Sequence, residues 1–186
     1  MPSILTHAFV AGSAGALAPP KSLPRWAVVA GVVCSVLPDI DTMGHAVGVR
    51  YGSEFGHRGF THSILFALVA GAIAAAVVTR ANGRWRWSPV LWAYLLFCIG
   101  SHGFLDAMTN AGTGVALLMP FSDQRFFLPW RPIQVAPLSV SRFIGMKGVA
   151  VALSEVLWVW LPMLGLVLIA REMRRHKKTK EEQCRG

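Results

Sequence analysis

Apolar residues fall in five blocks along the chain, and the polar positions that break or border those blocks carry the information. The longest, Val149–Ala170, reads VAVALSEVLWVWLPMLGLVLIA and can cross a hydrocarbon core of about 30 Å. Ser63–Val78 and Pro89–Leu105 are near the lower limit for spanning, and Ile4–Ala18 and Trp26–Leu37 are shorter. At about 1.5 Å per residue the Trp26–Leu37 helix covers only about 18 Å, so its polar end should reach into the membrane plane. The pattern predicts an all-α, polytopic membrane bundle of about five segments. Residues 1–170 form the membrane-embedded domain and 171–186 a basic tail.

Composition agrees. An apolar fraction of 54% is too high for an ordinary soluble domain of 186 residues. Ile4–Ala18 is read as a membrane segment and not as a signal peptide, because no Lys or Arg precedes it and two prolines follow its small-residue run. Cys34 and Cys98 lie in apolar runs and Cys184 in the tail, so no disulfide framework is expected.

Charge sets the orientation. The net charge of +9 is concentrated after the last segment, at Arg171, Arg174, Arg175, Lys177, Lys178, Lys180 and Arg185. A juxtamembrane basic tail marks the cytoplasmic side and makes nucleic acid an unexpected partner. Alternating backwards puts Thr79–Ser88 (Arg80, Arg84, Arg86) and Pro19–Arg25 (Lys21, Arg25) on that side too. Twelve of the eighteen basic residues are then inside. The N-terminus and the loops Pro38–Thr61 and Met108–Gly148 face outward.

This topology, drawn from Lys and Arg alone, sends His7, Asp39, Asp41, His57, His62, His102 and Asp106 to one face. His102 and Asp106 are four residues apart and share a helix face. Ionisable groups at bilayer depth are costly and usually functional, so the pair reads as metal ligands over an internal hydrogen bond. Asp39 and Asp41, in LPDID, read either as a helix-ending turn or as carboxylates around a cation or an arginine, with one of them set back from the ion. In HRGFTHS, Thr61 suits an N-cap for the third helix, which leaves His62 unexplained. Arg58 presents a planar guanidinium that fits phosphate or carboxylate, or is a surface arginine near headgroups. Glu54 is a candidate base, His45 in the same loop has no assigned role, and His176 lies solvated in the tail. Imidazole with carboxylate and no thiolate is the donor set of zinc, manganese or iron hydrolases, with enough ligands for one or two ions.

The outer segment 113–148 is rich in proline, aromatics and arginine and too interrupted to span. Phe121, Phe126, Phe127 and Trp130 are expected at the lipid interface and Arg125 and Arg131 at headgroups, as a plain interfacial loop or as a wall for a lipidic substrate.

PDID, HRGFTHS and SHGFLD, with the early His7, resemble the YdjM-like family of membrane-bound metal-dependent hydrolases from His7 to about Arg131. The resemblance implies that His57, Arg58, Gly59, Thr61, His62, His102 and Asp106 belong to its presumed metal-binding elements. A fainter likeness in residue order, to the all-helical zinc-dependent phospholipases C, implies phosphoester hydrolysis; the downstream histidines of those enzymes are missing here, which argues against a third metal.

The combined expectation is a multi-pass protein of the bacterial inner (cytoplasmic) membrane, with its C-terminus inside and its site outside. It would cleave a phosphoester of a lipid or lipid-linked substrate with water activated by one or two Zn2+ ions, or by Mn2+ or Fe2+. His102, Asp106, His62 and Asp39 would hold one ion, and His7 would help hold a second, with Asp106 or Asp41 bridging. Arg58 would meet developing phosphate charge. The alternative is a non-catalytic metal-binding membrane protein or a metal transporter.

Overall fold

In the computed structural model, residues 1–24, 26–81, 83, 88–137 and 145–184 are described. Arg25, Arg84, Arg86 and Arg185, used above to orient the chain, lie outside them. The described residues form helices α1 (Ile4–Leu17), α2 (Ala27–Val36), α3 (Ile64–Ala81), α4 (Pro89–Ala107), α5 (Met146–Glu155) and α6 (Leu161–Gln183). Four helical stretches are long and apolar enough to cross a membrane: Ala27–Val47, Ile64–Ala81, Pro89–Ala107 and Met146–Gln183. Of the five expected segments, α1 is the one that falls short: its 14 residues span about 21 Å.

The second segment does not stop at Leu37. It continues as a 3-10 helix over Leu37–Val47, so Asp39 and Asp41 sit in helix and not in a loop. Pro38 is tolerated there because the first residues of a new helical segment need no N–H donor. The third helix starts differently from expectation as well. Thr61 lies in a short 3-10 turn, Phe60–His62, and Ser63 accepts the Phe66 N–H through Oγ at 3.1 Å as the true cap. Thr61 is thereby released for the site.

Helix α4 is the centre of the bundle. Ser88 caps it through the Leu91 N–H at 3.3 Å, with Pro89 behind in the first turn. Its buried side packs against α1, α2 and α3 through Leu91, Tyr94, Leu95, Cys98 and Ile99. Small residues allow the close approach: a Cβ on Gly31 would stand 2.3 Å from the Tyr94 hydroxyl, which donates to the Ala11 carbonyl at 3.0 Å. Tyr94 thus pins α1 and α2 together.

The last span contains a π-helical stretch, Val156–Trp160, just before Pro162. Proline withholds a donor, and the wider turn is a known accommodation. This span clamps α1 at both ends. Glu155 accepts from Ser3 Oγ at 2.6 Å and Thr6 Oγ1 at 2.7 Å, and Arg174 donates to the carbonyls of Ala16 and Ala18 at 3.1 and 3.0 Å. The basic segment from Arg171 continues the span as helix through Gln183. Its Arg174 also shares an end of the bundle with the Lys21 turn.

Residues 108–137 fold back over the opposite end. Two isolated β-bridges, Thr109 with Ile133 and Val115 with Phe126, organise them, and Leu117 O accepts from Ile64 N at 3.0 Å. Phe121 and Trp130 are exposed as expected, whereas Phe126 and Phe127 are half-buried. Arg131 stacks 4.8 Å over the Phe127 ring. Arg125 corrects the headgroup assignment: it turns inward and donates to the carbonyls of His57, Arg58, Gly52 and Ser53 and to Thr113 Oγ1 at 3.0–3.4 Å.

Candidate metal centre

Every histidine and aspartate singled out for metal binding arrives at the end of the bundle under this returning segment. His7 comes from the start of α1, Asp39 and Asp41 from the 3-10 extension of α2, His57 and His62 from the turns before α3, and His102 and Asp106 from the last turns of α4. Two triads result: His7, His102 and Asp106, and Asp39, His57 and His62, with the donor atoms of each within 4.8 Å of one another. The triads adjoin. His102 Nε2 is 3.2 Å from Asp39 Oδ1, and His62 Nε2 is 3.6 Å from Asp106 Oδ2.

Asp41 stands behind this cluster rather than in it, so of the two aspartates it is the one set back. Its Oδ1 accepts from His57 Nδ1 at 2.9 Å. Its Oδ2 accepts from Thr61 Oγ1 at 2.7 Å and from the Arg58 backbone N–H at 3.2 Å, and faces His62 Nδ1 at 3.1 Å. With Nδ1 of both imidazoles turned to Asp41, their Nε2 atoms point into the cluster. His102 is set the same way by the Ser35 carbonyl, 2.7 Å from its Nδ1. Groups that hold the far nitrogen of a liganding histidine typically change metal affinity by about 10–100-fold. Asp41→Asn is expected to weaken zinc binding by about that factor, measured by competition with a fluorescent chelator; unchanged affinity would remove Asp41 from the site.

The chemistry of the cluster fits a cation. Among the described residues, Nε2 of His57, His62 and His102, both nitrogens of His7 and both oxygens of Asp39 and Asp106 are buried without a hydrogen-bond partner. Such orphaned atoms are each costly in a protein interior, and here they converge. With neutral imidazoles, Asp39, Asp41 and Asp106 against Arg58 and the nearby Arg125 leave a formal charge of −1. Burial pushes His62 below its ordinary value, so its imidazole is in the neutral, ligating form at pH 7. The nearby Met1 amine is lowered to about 6 by burial and adds little positive charge. Ligands of one zinc-type ion at about 2.0–2.2 Å lie at most about 4.4 Å apart, close to the spread of each triad.

Arg58 does not face open space. Its guanidinium is buried, with Nε 3.0 Å from Asp106 Oδ2 and its terminal nitrogens donating to Thr109 Oγ1 and the Ala111 carbonyl at 3.0 and 3.3 Å. It therefore braces a candidate ligand, and the substrate-facing role foreseen for it has no geometric support. The backbone at Arg58 is left-handed, φ +65°, a conformation that persists in a non-glycine residue only where surroundings enforce it. Gly59 permits that turn. A Cβ there would stand 2.1 Å from the Glu54 carbonyl oxygen and 2.8 Å from that of Gly56. Gly59→Ala should cost about 1–3 kcal/mol, read as a lower unfolding midpoint in detergent.

Glu54 is exposed and lines a surface pocket with Asp123 and Arg125, so it sits away from the cluster and the base role has no support. His176 is exposed on α6 beside Glu172, as expected. Ser35, Thr109 and Arg125 shape the site without having been foreseen. Two of them act through hydroxyl or guanidinium groups on backbone carbonyls, and Ser35 through its own carbonyl, a contact that carries no sequence pattern.

A family model described as "YdjM inner membrane protein" matches residues 1–177, further in both directions than the motifs alone reach. The chain is 40% identical over 171 residues to "Inner membrane protein YbcI" of Escherichia coli (strain K12), covering 91% of this chain and 95% of that protein. It is 33% identical over 113 residues to "Uncharacterized protein YvsG" of Bacillus subtilis (strain 168), covering 57% and 64%. No solved structure matches, and the phospholipase C likeness has no counterpart among these relatives.

Proposed function

The chain belongs to the YdjM family of inner membrane proteins, and on that premise we propose that it is a membrane-embedded, metal-dependent hydrolase that cleaves a phosphoester of a lipid or lipid-linked substrate. The observation that carries the metal is the convergence of orphaned imidazole nitrogens and carboxylate oxygens in two adjoining triads. His7, His57, His62, His102, Asp39 and Asp106 would hold one or two ions. Zinc suits this donor set, and manganese or iron(II) share it. When bound, such a cation supplies Lewis acidity toward a phosphoryl oxygen and brings the pKa of a water near neutrality. Asp41 and the Ser35 carbonyl keep the Nε2 lone pairs aimed inward. Arg58 holds Asp106 in place and offsets part of the negative charge. No protein nucleophile is required.

A lipid substrate follows from the setting, since the cluster lies at one end of a bundle whose outer surface is apolar. The apolar core of α4 between the cluster and the other end argues against a polar transport path. Arg174 and the Lys21 turn at the opposite end of the bundle support an outer-leaflet site. The test is turnover of phosphatidic acid in detergent micelles by zinc-loaded protein. Phosphate release abolished by a chelator and restored by zinc is expected. Stoichiometric metal with no phosphoester turnover would leave the non-catalytic reading, and metal flux across vesicles would point to transport.

A further inference from the structure

Within the cluster the carboxylate of Asp39 is the most open group, 11% exposed, while the side chains of His7, His57, His62, His102 and Asp106 are fully buried. Asp39 is therefore the most accessible donor of the cluster. That residue forms part of the wall of a groove of about 590 Å³ between the start of α1, the 3-10 extension of α2 and the segment at Ala136–Pro137. The groove is divided by chemistry. Asp39, Thr42 and His45 supply its polar end, and Pro2, Ile4, Leu5 and Ala136 are among its apolar walls. Leu5 is 66% exposed, and Ile40 and Met43 on the neighbouring 3-10 helix are exposed as well. His45 donates its Nδ1–H to the Val49 carbonyl at 3.0 Å, so Nε2 is the ring nitrogen left for the polar end.

We propose that this groove binds the hydrocarbon chain of an anionic phospholipid, with the phosphate at the Asp39–His45 end and the chain along Ile4 and Leu5. The position of the phosphate rests on the hydrolase reading, because a phosphate beside Asp39 needs the cation's charge between them. The apolar course of the groove does not. Its size is within the range of small-ligand sites, and its continuity with the cluster through a shared residue picks an amphiphile over a water-soluble ester. Approach from the membrane side lets the chain stay among apolar groups while the headgroup reaches the buried donors.

Occupancy can be read without turnover. In full-length Leu5→Cys, Cys184→Ser protein, the groove thiol is the exposed one, since Cys34 and Cys98 are buried. Maleimide labelling is followed in detergent micelles with dioleoyl phosphatidic acid or dioleoylglycerol. Phosphatidic acid at roughly ten times its Kd should slow labelling by about tenfold, because about nine-tenths of the grooves are then filled. Dioleoylglycerol should have little effect, and neither lipid should slow a Val77→Cys control on the exposed face of α3. Equal slowing at both thiols, or none at position 5, overturns the groove; so does protection that grows with protein concentration in the absence of lipid, which would mean a second copy occupies it. Protection without phosphate release removes the hydrolase reading and leaves the groove standing. Phosphate release without protection does the reverse.

Discussion

Protein carrying His102→Ala together with Asp106→Ala is expected to lose one bound ion per chain and, with it, the proposed phosphoester turnover. His102 contributes an Nε2 that makes no hydrogen bond among the described residues, stands 3.2 Å from Asp39 Oδ1, and is oriented by the Ser35 carbonyl behind it. Asp106 contributes two buried oxygens that lack hydrogen bonds and contact Arg58, His7 and His62. Without both, the first triad keeps only His7, and occupancy there should fall by well over about tenfold, since changes behind the ligands alone can cost that much. The companion variant Asp39→Ala with His57→Ala removes two donors of the other triad. Metal analysis of both separates one shared ion from two: a single ion disappears in either variant, whereas two ions fall to one in each. Stoichiometric metal unchanged in both would sink the ligand assignment.

The second large effect is on stability. Arg58→Met should lower stability by about 3–5 kcal/mol, the usual result of deleting one partner of a buried ion pair. For a chain of this size that corresponds to a fall in Tm of roughly 6–20 °C. The cause is not the lost contact alone, because Asp106 would remain buried with no guanidinium at 3.0 Å and the Thr109 hydroxyl and Ala111 carbonyl would lose their donors. Adding Asp106→Asn should recover much of the loss, since a neutral amide tolerates the site better than an unpaired carboxylate. Zinc should raise the Tm of Arg58→Met more than that of the parent, because the ion would stand in for the missing positive charge. A Tm unchanged in Arg58→Met would mean that the carboxylate is solvated or protonated, and the charge argument for a cation would lose its footing.

The residues of the site were almost all legible along the chain, and their partnerships were not. His102 and Asp106 could be paired because four residues on a helix mean one face. Asp39 and Asp41 looked interchangeable, since a two-residue spacing in a turn says nothing about which oxygen points where. The 3-10 continuation through Val47 separates them, sending Asp39 to the donor cluster and Asp41 behind it against His57, Arg58 and Thr61. Thr61 was plausible as a cap until Ser63 took that role. Arg58 was read as free for substrate because nothing local predicts a left-handed backbone that folds its guanidinium against a residue forty-eight positions away. Glu54 was grouped with the site by proximity in sequence, and the turn at Gly56–Gly59 sends it outward.

Hydropathy and charge by themselves determined that this is a helical membrane protein, which chemistry-bearing side chains it holds, and that they gather at one end. Those follow from the cost of exposing backbone and charge to hydrocarbon, a constraint that acts on every span separately. Only the tertiary structure decided which aspartate joins the donor cluster and which stands behind it, where Arg58 spends its charge, and that Asp39 is the cluster's most open carboxylate. Each of these depends on contacts between residues distant in the chain, where a rotation of one side chain exchanges a ligand for a hydrogen-bond partner and no local pattern records the difference.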